Sequence, residues 1–415
     1  MKNKIIHLQE HDKYPDVEEQ TSKFEKCHLI SWSQPMDGFP WGYYASYKIG
    51  AEWVDKKEAL VVTAKRGMEN IDFVSMFMTC FSSNLAIESF SQIYSVNIDD
   101  QPIDAPSLQS VVSPLIVFHF LGIVRRIKIL KKGYVHYSKN LKKVKGSINI
   151  IKNEKKNISI KRFDHIYCDY DEYTVDIPEN RLLKKALLFS QRLLYEMGDN
   201  KASYNSVKFT LSKCLSLFEN VSDEVDIISI RQIKGHKLYK EYTEAIRLAK
   251  IVLRHFDYNI SNVSISNKVV PFVLDMSLLY EHYVYGLLNL AYQNKIYYQY
   301  SGRTGIPDFL YCSNDFKAIL DTKYIPKYAN QSIEPYIVRQ LSGYARDLKI
   351  LNKLGYNVTN KSQMPIPPCI IIYPEENNQN NYSNPFLNKK LDDLCIVEED
   401  LLQFYKLPLP IPTIK

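Results

Sequence analysis

Two periods of apolar residues organise the chain. In YYASYKIGAEWV (43–54) and EALVVTAK (58–65), Val, Ile, Tyr and Trp alternate in part with polar residues, which predicts strands. Segments 71–83 and 105–130 carry apolar positions at helical spacing. GYVHYSKNLKKVKGSINI (133–150) reads as short strands around a basic turn. Between 156 and 262 the helical period dominates, over 179–197, 203–221 and 238–256, with polar turn signals such as GDNKAS and NISNVSISN between them. From about 263 the pattern changes again. A helix over 276–293 leads to strand-like KIYYQYS (295–301), then to IPDFLYC and DFKAILDTKYI around a tight Ser-Asn turn. A helix over 334–352 and the apolar strand CIIIYP (369–374) follow. The pattern predicts an α+β multidomain chain: a strand-rich domain at 1–155, a helical middle region at 156–262 and a compact mixed α/β domain at 263–415.

Composition narrows the function classes. The 415 residues are 45% hydrophobic, enough for a sizeable core, and the net charge of +7 permits a nucleic-acid partner without demanding one. The seven Cys are widely spaced and no CxxC occurs, which argues against a zinc ribbon or a secreted disulfide framework. Reduced thiols in a cytoplasm are the simplest reading. The first residues lack the apolar core of a signal peptide. The longest apolar run, 111–124, is too short to span a bilayer and contains Pro and His, so it reads as a buried core segment with no membrane partner. No Walker A loop, GxGxxG or HExxH is present.

The chemistry concentrates in the last domain. Asp321 and Lys323 stand two apart in a predicted strand and so point to one face. If Ser313-Asn314 closes an even-length hairpin, residue 308 lies opposite 319, and Asp308 becomes a diagonal neighbour of Asp321 on that face. Two carboxylates beside a Lys suit a hard divalent cation such as Mg²⁺, with Mn²⁺ as a substitute. Such a cation polarises a phosphodiester, and Lys323 would orient water or offset developing charge. A Lys near a metal and low-dielectric walls is also a candidate for a shift toward neutrality. The plainer alternative is a structural ion pair. Glu281, on the preceding apolar helix, is either a third acid near the metal or a rim carboxylate paired with a Lys or His. Gln340 and Tyr344, four apart on one helical face, would contact a DNA backbone, brace the site, or simply pack on the sheet.

A basic stretch lies upstream. Residues 121–146 hold nine Lys or Arg and no acid. Arg125, Arg126 and Lys128 fall in a helical pattern, and Lys139, Lys142, Lys143 and Lys145 in an expected loop. DNA backbone contact, an acidic partner subunit and a plain solvated face all fit this charge.

The order of a Glu-bearing helix, PD, DxK and QxxxY resembles the PD-(D/E)xK nuclease superfamily. More narrowly, LDMSLLYEHYVYGLL (274–288), IPDFLY, ILDTKY and RQLSGYARD (339–347) resemble the McrC family, the nuclease subunits of 5-methylcytosine-type restriction systems. CDYDEYTVDIPENRLLKKAL (168–187) is similar to that family's acid-rich turn before an Asn-Arg helix start. The resemblance implies a restriction-endonuclease-like C-terminal domain, Asp308 and Asp321 as metal ligands, Lys323 as catalytic lysine and Glu281 as the helix acid. Thr322 stands where the family usually has Ala, and no chemistry is expected of it. The resemblance also implies cleavage of modified duplex DNA together with a McrB-like AAA+ GTPase hexamer, whose ring the N-terminal region would dock and stimulate. Lys65 and Arg66, in the loop KRGMEN (65–70), are candidates for that docking or an ordinary solvated turn. Two other functions remain open: a stand-alone or helicase-associated exonuclease or repair nuclease of the QxxxY group, and a non-catalytic activator of an AAA+ ring.

Overall fold

The structure is a computed structural model and describes residues 4–15, 17, 19–34, 40–81, 92–97, 100–197, 201–225, 240–261, 268–329, 331–356, 366–375 and 384–414. The chain divides into two compact units. The first gathers Met1–Leu115, Asn200–Val207 and Ser266–Lys415, and the second Ile116–Asp199 and Lys208–Ile265.

In the first unit, β1 (Lys4–Gln9), β4 (Lys48–Trp53), β5 (Glu58–Thr63), β6 (Tyr94–Val96) and β12 (Phe272–Asp275) form one sheet in the order β1-β5-β4-β12-β6. β1 pairs parallel with β5, and β12 pairs antiparallel with both β4 and β6. The segment expected to open a separate C-terminal domain therefore completes the N-terminal sheet. Its four residues, Phe-Val-Leu-Asp, are almost entirely buried, so no alternation marks them as a strand. β2 (Ile30–Ser33) and β3 (Gly42–Ala45) form a hairpin, and β7 (Ile103–Asp104) pairs with β11 (Lys268–Val269). The end of the chain returns to this region, where Ile71 bridges Thr413 and the Asp72 N–H donates to Pro412 O at 2.8 Å.

The same unit holds a six-stranded sheet. Its order is β13 (Ile296–Tyr298), β14 (Phe309–Cys312), β15 (Lys317–Thr322), β16 (Cys369–Glu375), β18 (Phe404–Pro410) and β17 (Ile396–Val397). β13, β14 and β15 are antiparallel neighbours, whereas β15, β16 and β18 run parallel. The β14–β15 hairpin differs from expectation. Its loop spans 313–316, closed by Ser313 N–H to Phe316 O at 2.9 Å, and Ile319 faces Leu310 instead of residue 308. Carried on by one pair, that register sets Asp308 directly opposite Asp321. The loop length is still even, so both acids keep to one face. β18 contains Pro408 and Pro410, which lack an N–H and concealed it as a strand.

Two helical layers hold this sheet in place. α1 (Phe73–Cys80) packs on the helix over Met276–Tyr292, here α7. Asp275 caps α7 by accepting the Ser277 and Leu278 N–H groups at 3.0 and 3.1 Å. α8 (Pro335–Tyr344) and α9 (Leu348–Lys353) connect β15 to β16, and Ile337, Leu341, Tyr344 and Ile350 bury against Leu310, Ile319 and Ile371.

In the second unit, β8 (Gly133–Leu141), β10 (Ile166–Thr174) and β9 (Ser147–Ile148) form an antiparallel sheet in the order β8-β10-β9. The basic turn at 142–146 lies between β8 and β9, but Lys139 is within β8 rather than in the loop. The segment similar to an acid-rich turn is mostly strand, because Ile166–Thr174 pairs along the whole of β8. The helices are α2 (Gln109–Arg126, which begins in the first unit), α3 (Ile150–Asn153), α4 (Pro178–Met197), α5 (Lys201–Ser216, also begun in the first unit) and α6 (Lys240–Ser261). With the turn before it, α2 spans Pro106–Arg126 and is long and apolar enough to cross a membrane, against the expectation from length. Val112, Leu115, Val117, Phe118 and Phe120 are fully buried within the protein, the pattern of a core helix.

Gly286 lets α7 approach α1 closely, since a Cβ there would stand 2.4 Å from Thr79 O. Gly286→Ala should cost about 1–3 kcal/mol through overpacking. Chemical denaturation of the two proteins checks this, and equal midpoints would show that α1 and α7 can part without penalty.

Candidate active site

Asp308 sits just before β14, and its position is set from both sides. Its carbonyl accepts the Gln299 N–H at 2.8 Å, extending the β13–β14 ladder. Its carboxylate Oδ2 accepts both the N–H and the hydroxyl of Thr322, each at 2.6 Å. The middle residue of Asp-Thr-Lys thus holds the acid on the neighbouring strand. An Ala there would retain only the backbone bond.

Asp321 is buried in β15, 2% exposed. Its Oδ2 forms an ion pair with Lys323 Nζ, the partner it has among the described residues. Burial, and then the charge of Asp308, push the Asp321 carboxyl up to about 7 against the pull of Lys323. Burial also raises Asp308, although the Thr322 bonds work the other way. Lys323 is half-buried; burial, the largest single influence, lowers its pKa, but the charge and hydrogen bond of Asp321 together with the charge of Asp308 turn the net shift upward. The expected drift toward neutrality is therefore absent in the chain alone, because the neighbouring negative charge dominates.

Glu281 projects from α7 into the same group. It is 8% exposed and accepts a hydrogen bond from Gln299 Nε2 at 2.9 Å. Burial, then the nearby Asp308, raise its carboxyl to about 7, with Asp321 adding to the effect. Its partners are the Gln299 amide and Tyr298, and among the described residues no Lys or His pairs with it as a rim carboxylate would require. Gln299 was not singled out in the sequence, yet it joins Glu281 to Asp308 with a backbone φ of 45°. That conformation is uncommon outside Gly. No motif signals it.

Gln340 and Tyr344 face each other on α8, with Gln340 Nε2 donating to Tyr344 Oη at 3.0 Å. The buried Tyr344 hydroxyl donates to Ile306 O at 3.3 Å, so this pair braces the loop that enters Asp308. Gly305 is required there: its φ is 145° and a Cβ would lie 2.8 Å from the Tyr344 ring. Asp347, also unmarked by sequence reasoning, accepts the N–H groups of Arg303 and Thr304, the latter at 2.8 Å.

The other candidates lie elsewhere. Arg125 is half-buried and Arg126 exposed at the end of α2, while Lys142 and Lys143 are exposed in the β8–β9 turn. All four belong to the second unit. Lys65 is not a solvated loop residue, because its ammonium donates to Tyr324 O at 2.7 Å. Arg66 bonds Gln9 Oε1 at 3.3 Å on the surface.

Among the described residues no three His, Cys, Asp or Glu side chains converge as a ready metal cluster. The opposed Asp308 and Asp321 carboxylates nevertheless fit Mg²⁺, which is commonly held by one or two carboxylates and keeps several waters. The charge of Asp308 adds to burial in raising the Asp321 carboxyl, and a divalent cation would relieve that repulsion.

Two outcomes follow from this geometry. Asp321 rises from 3.8 to about 7 and Glu281 from 4.5 to about 7, so the folded chain binds more protons than the unfolded one between those values. In chelator, stability should therefore fall as pH rises from about 4 to about 7. Asp321→Asn should flatten that fall in thermal melts across the range, and an unchanged slope would remove Asp321 as its source. Thr322→Val keeps the shape of the side chain but deletes the hydroxyl donor to Asp308. It should cost about 1 kcal/mol and raise the half-saturating Mg²⁺ concentration, read by titration calorimetry.

Comparison with known proteins agrees with the motifs. A family model described as McrBC 5-methylcytosine restriction system component matches residues 112–345. Similar solved structures include a half-complex from a tetradecameric assembly of Thermococcus gammatolerans McrB AAA+ hexamers with bound McrC. That chain is 14% identical, with 99% of this chain and 95% of that chain covered and a TM-score of 0.34. The cryo-EM structure of the Thermococcus gammatolerans McrBC complex is 12% identical, with 70% and 89% covered and a TM-score of 0.29. No curated protein matches. The family match spans more than half of the chain and includes Glu281, Asp308, Asp321, Lys323, Gln340 and Tyr344, so this chain belongs to the McrBC 5-methylcytosine restriction system component family.

Proposed function

We propose that the chain is the Mg²⁺-dependent endonuclease subunit of a McrBC-type restriction system, with a PD-(D/E)xK nuclease domain at its C-terminal sheet. The observation that carries this reading is Asp308 set opposite an Asp321 that pairs with Lys323, with Glu281 near enough that both acids raise its carboxyl. A structural ion pair between Asp321 and Lys323 would need neither a half-buried Asp308 nor a buried Glu281 beside it, and each adds a desolvation cost.

Asp308 and Asp321 would hold the cation, which supplies Lewis-acid polarisation of a phosphodiester and acidifies bound water. Thr322 keeps Asp308 turned toward Asp321 through its two hydrogen bonds. Lys323, cationic beside Asp321, is placed to orient the attacking water and to offset charge developing on the phosphate. Glu281, raised to about 7, can hold or release a proton near neutral pH. Tyr344 and Gln340 fix the loop that delivers Asp308.

The surface suited to a McrB-type AAA+ partner is in the second unit. Residues 133–165 carry nine Lys or Arg against two acids. Ile150, Ile151, Ile160 and Phe163 are each at least 65% exposed there. DNA phosphates would use the charge and leave the aliphatic groups in water, whereas an acidic and partly apolar protein surface would use both. Asp321 and Lys323 then serve cleavage, and this face serves docking.

Plasmid cleavage in Mg²⁺ with the McrB-type partner and nucleotide tests the assignment. Asp321→Ala and Lys323→Ala should each lower the rate by about 10²-fold or more while still stimulating the partner's nucleotide hydrolysis. Cleavage by Asp321→Ala at the wild-type rate would make the Asp-Thr-Lys segment structural.

A further inference from the structure

Lys65 follows β5, 259 residues before its partner, yet it reaches the end of the strand that carries Asp321 and Lys323. Its ammonium donates to Tyr324 O at 2.7 Å and lies 3.4 Å from the centroid of the Tyr324 ring. β15 stops at Thr322, and the Lys323 N–H makes the last bond to β16, to Ile372 O at 2.9 Å. The Tyr324 carbonyl is past the end of that ladder, where a buried acceptor needs another donor. Lys65 supplies it.

The surroundings keep the lysine there. Its own N–H donates to Glu10 Oε2 at 2.9 Å, and Glu10, 3% exposed, places a carboxylate beside the ammonium. Tyr324 is 2% exposed and packs at a tilt against Tyr280, the neighbour of Glu281 on α7, with ring centroids 5.9 Å apart. Tyr47 closes the other side at 6.4 Å. One residue just past β5 of the N-terminal sheet thus grips the peptide immediately after Lys323.

We propose that Lys65 is a positioning residue for Lys323, holding the end of β15 so that the Lys323 ammonium stays on Asp321. The proposal rests on the nuclease reading above. It makes the N-terminal sheet part of the nuclease site's support.

The test compares the full-length wild type with Lys65→Met, Lys65→Arg and Asp321→Ala, together with the McrB-type partner and methylated plasmid. Lys65→Met should lower the maximal cleavage rate about tenfold to a hundredfold, the scale of a misplaced catalytic group. DNA affinity in Ca²⁺ and stimulation of the partner should stay at wild-type levels. Lys65→Arg keeps a donor and a cation over the ring and should restore most of the rate. Amide exchange at Lys323 and Ile325 should be faster in Lys65→Met alone. Wild-type cleavage by Lys65→Met would overturn the proposal, as would a loss that Arg does not rescue and that partner stimulation shares equally. If the wild type cuts no better than Asp321→Ala, the nuclease reading fails by itself. Amide exchange then decides the positioning claim, and unchanged exchange at Lys323 overturns it.

Discussion

Asp308 and Asp321 oppose each other at the β14–β15 pair, and the chain must bury Asp321 and half-bury Asp308 to keep them there. Burial of like charges is costly unless cations or donors offset it. Each neighbouring feature of the C-terminal sheet answers that cost. Thr322 donates twice to Asp308, Lys323 pairs with Asp321, and Gln299 adopts a left-handed backbone while bonding Glu281 and the Asp308 carbonyl. The residual strain shows in carboxyls raised to about 7 at Asp321 and Glu281. Charges left partly uncompensated by the protein are a hallmark of sites built to receive a cation or a reacting group.

Such a site needs rigid support, and the support comes from distant parts of the sequence. α7 presents Glu281 while packing on α1 through Gly286. Tyr344 and Asp347 pin the loop before Asp308. Lys65 and β12 draw the N-terminal sheet into the same unit as the strands at 296–322. The second unit contributes a different chemistry. Its small β8-β10-β9 sheet stacks Tyr137 on Tyr170 and leaves a basic, aliphatic surface in solvent. An excess of seven positive charges over 133–165 equals the net charge of the whole chain, so elsewhere the charges balance.

Much of the candidate site was legible because it is local. Asp321 and Lys323 share a face through the two-residue period of a strand, and Gln340 and Tyr344 through the four-residue period of a helix. Glu281 stood out as an acid on an apolar helix. The even loop length put Asp308 on the correct face, although the loop was two residues longer than its turn signal implied. Long-range partners had no such signal. Gln299, Thr322 and Asp347 are ordinary polar residues in sequence, and their roles depend on which strand or loop lies beside them.

The domain boundaries show the same division. Hydrophobic period predicted the helices at 179–197 and 276–293 and the strand at 369–374, because each buries a face set by its own repeat. It missed β10, β12 and β18, whose identity comes from the strands they pair with or from prolines that conceal them. The sequence by itself determined the local elements, the charge distribution and the acids and lysine of the candidate site, all of which follow from residues a few positions apart. Only the tertiary structure decided that β12 and Lys65 join the N-terminal sheet to the Asp-Thr-Lys strand, because backbone pairing and burial between remote segments leave no periodic trace in either one.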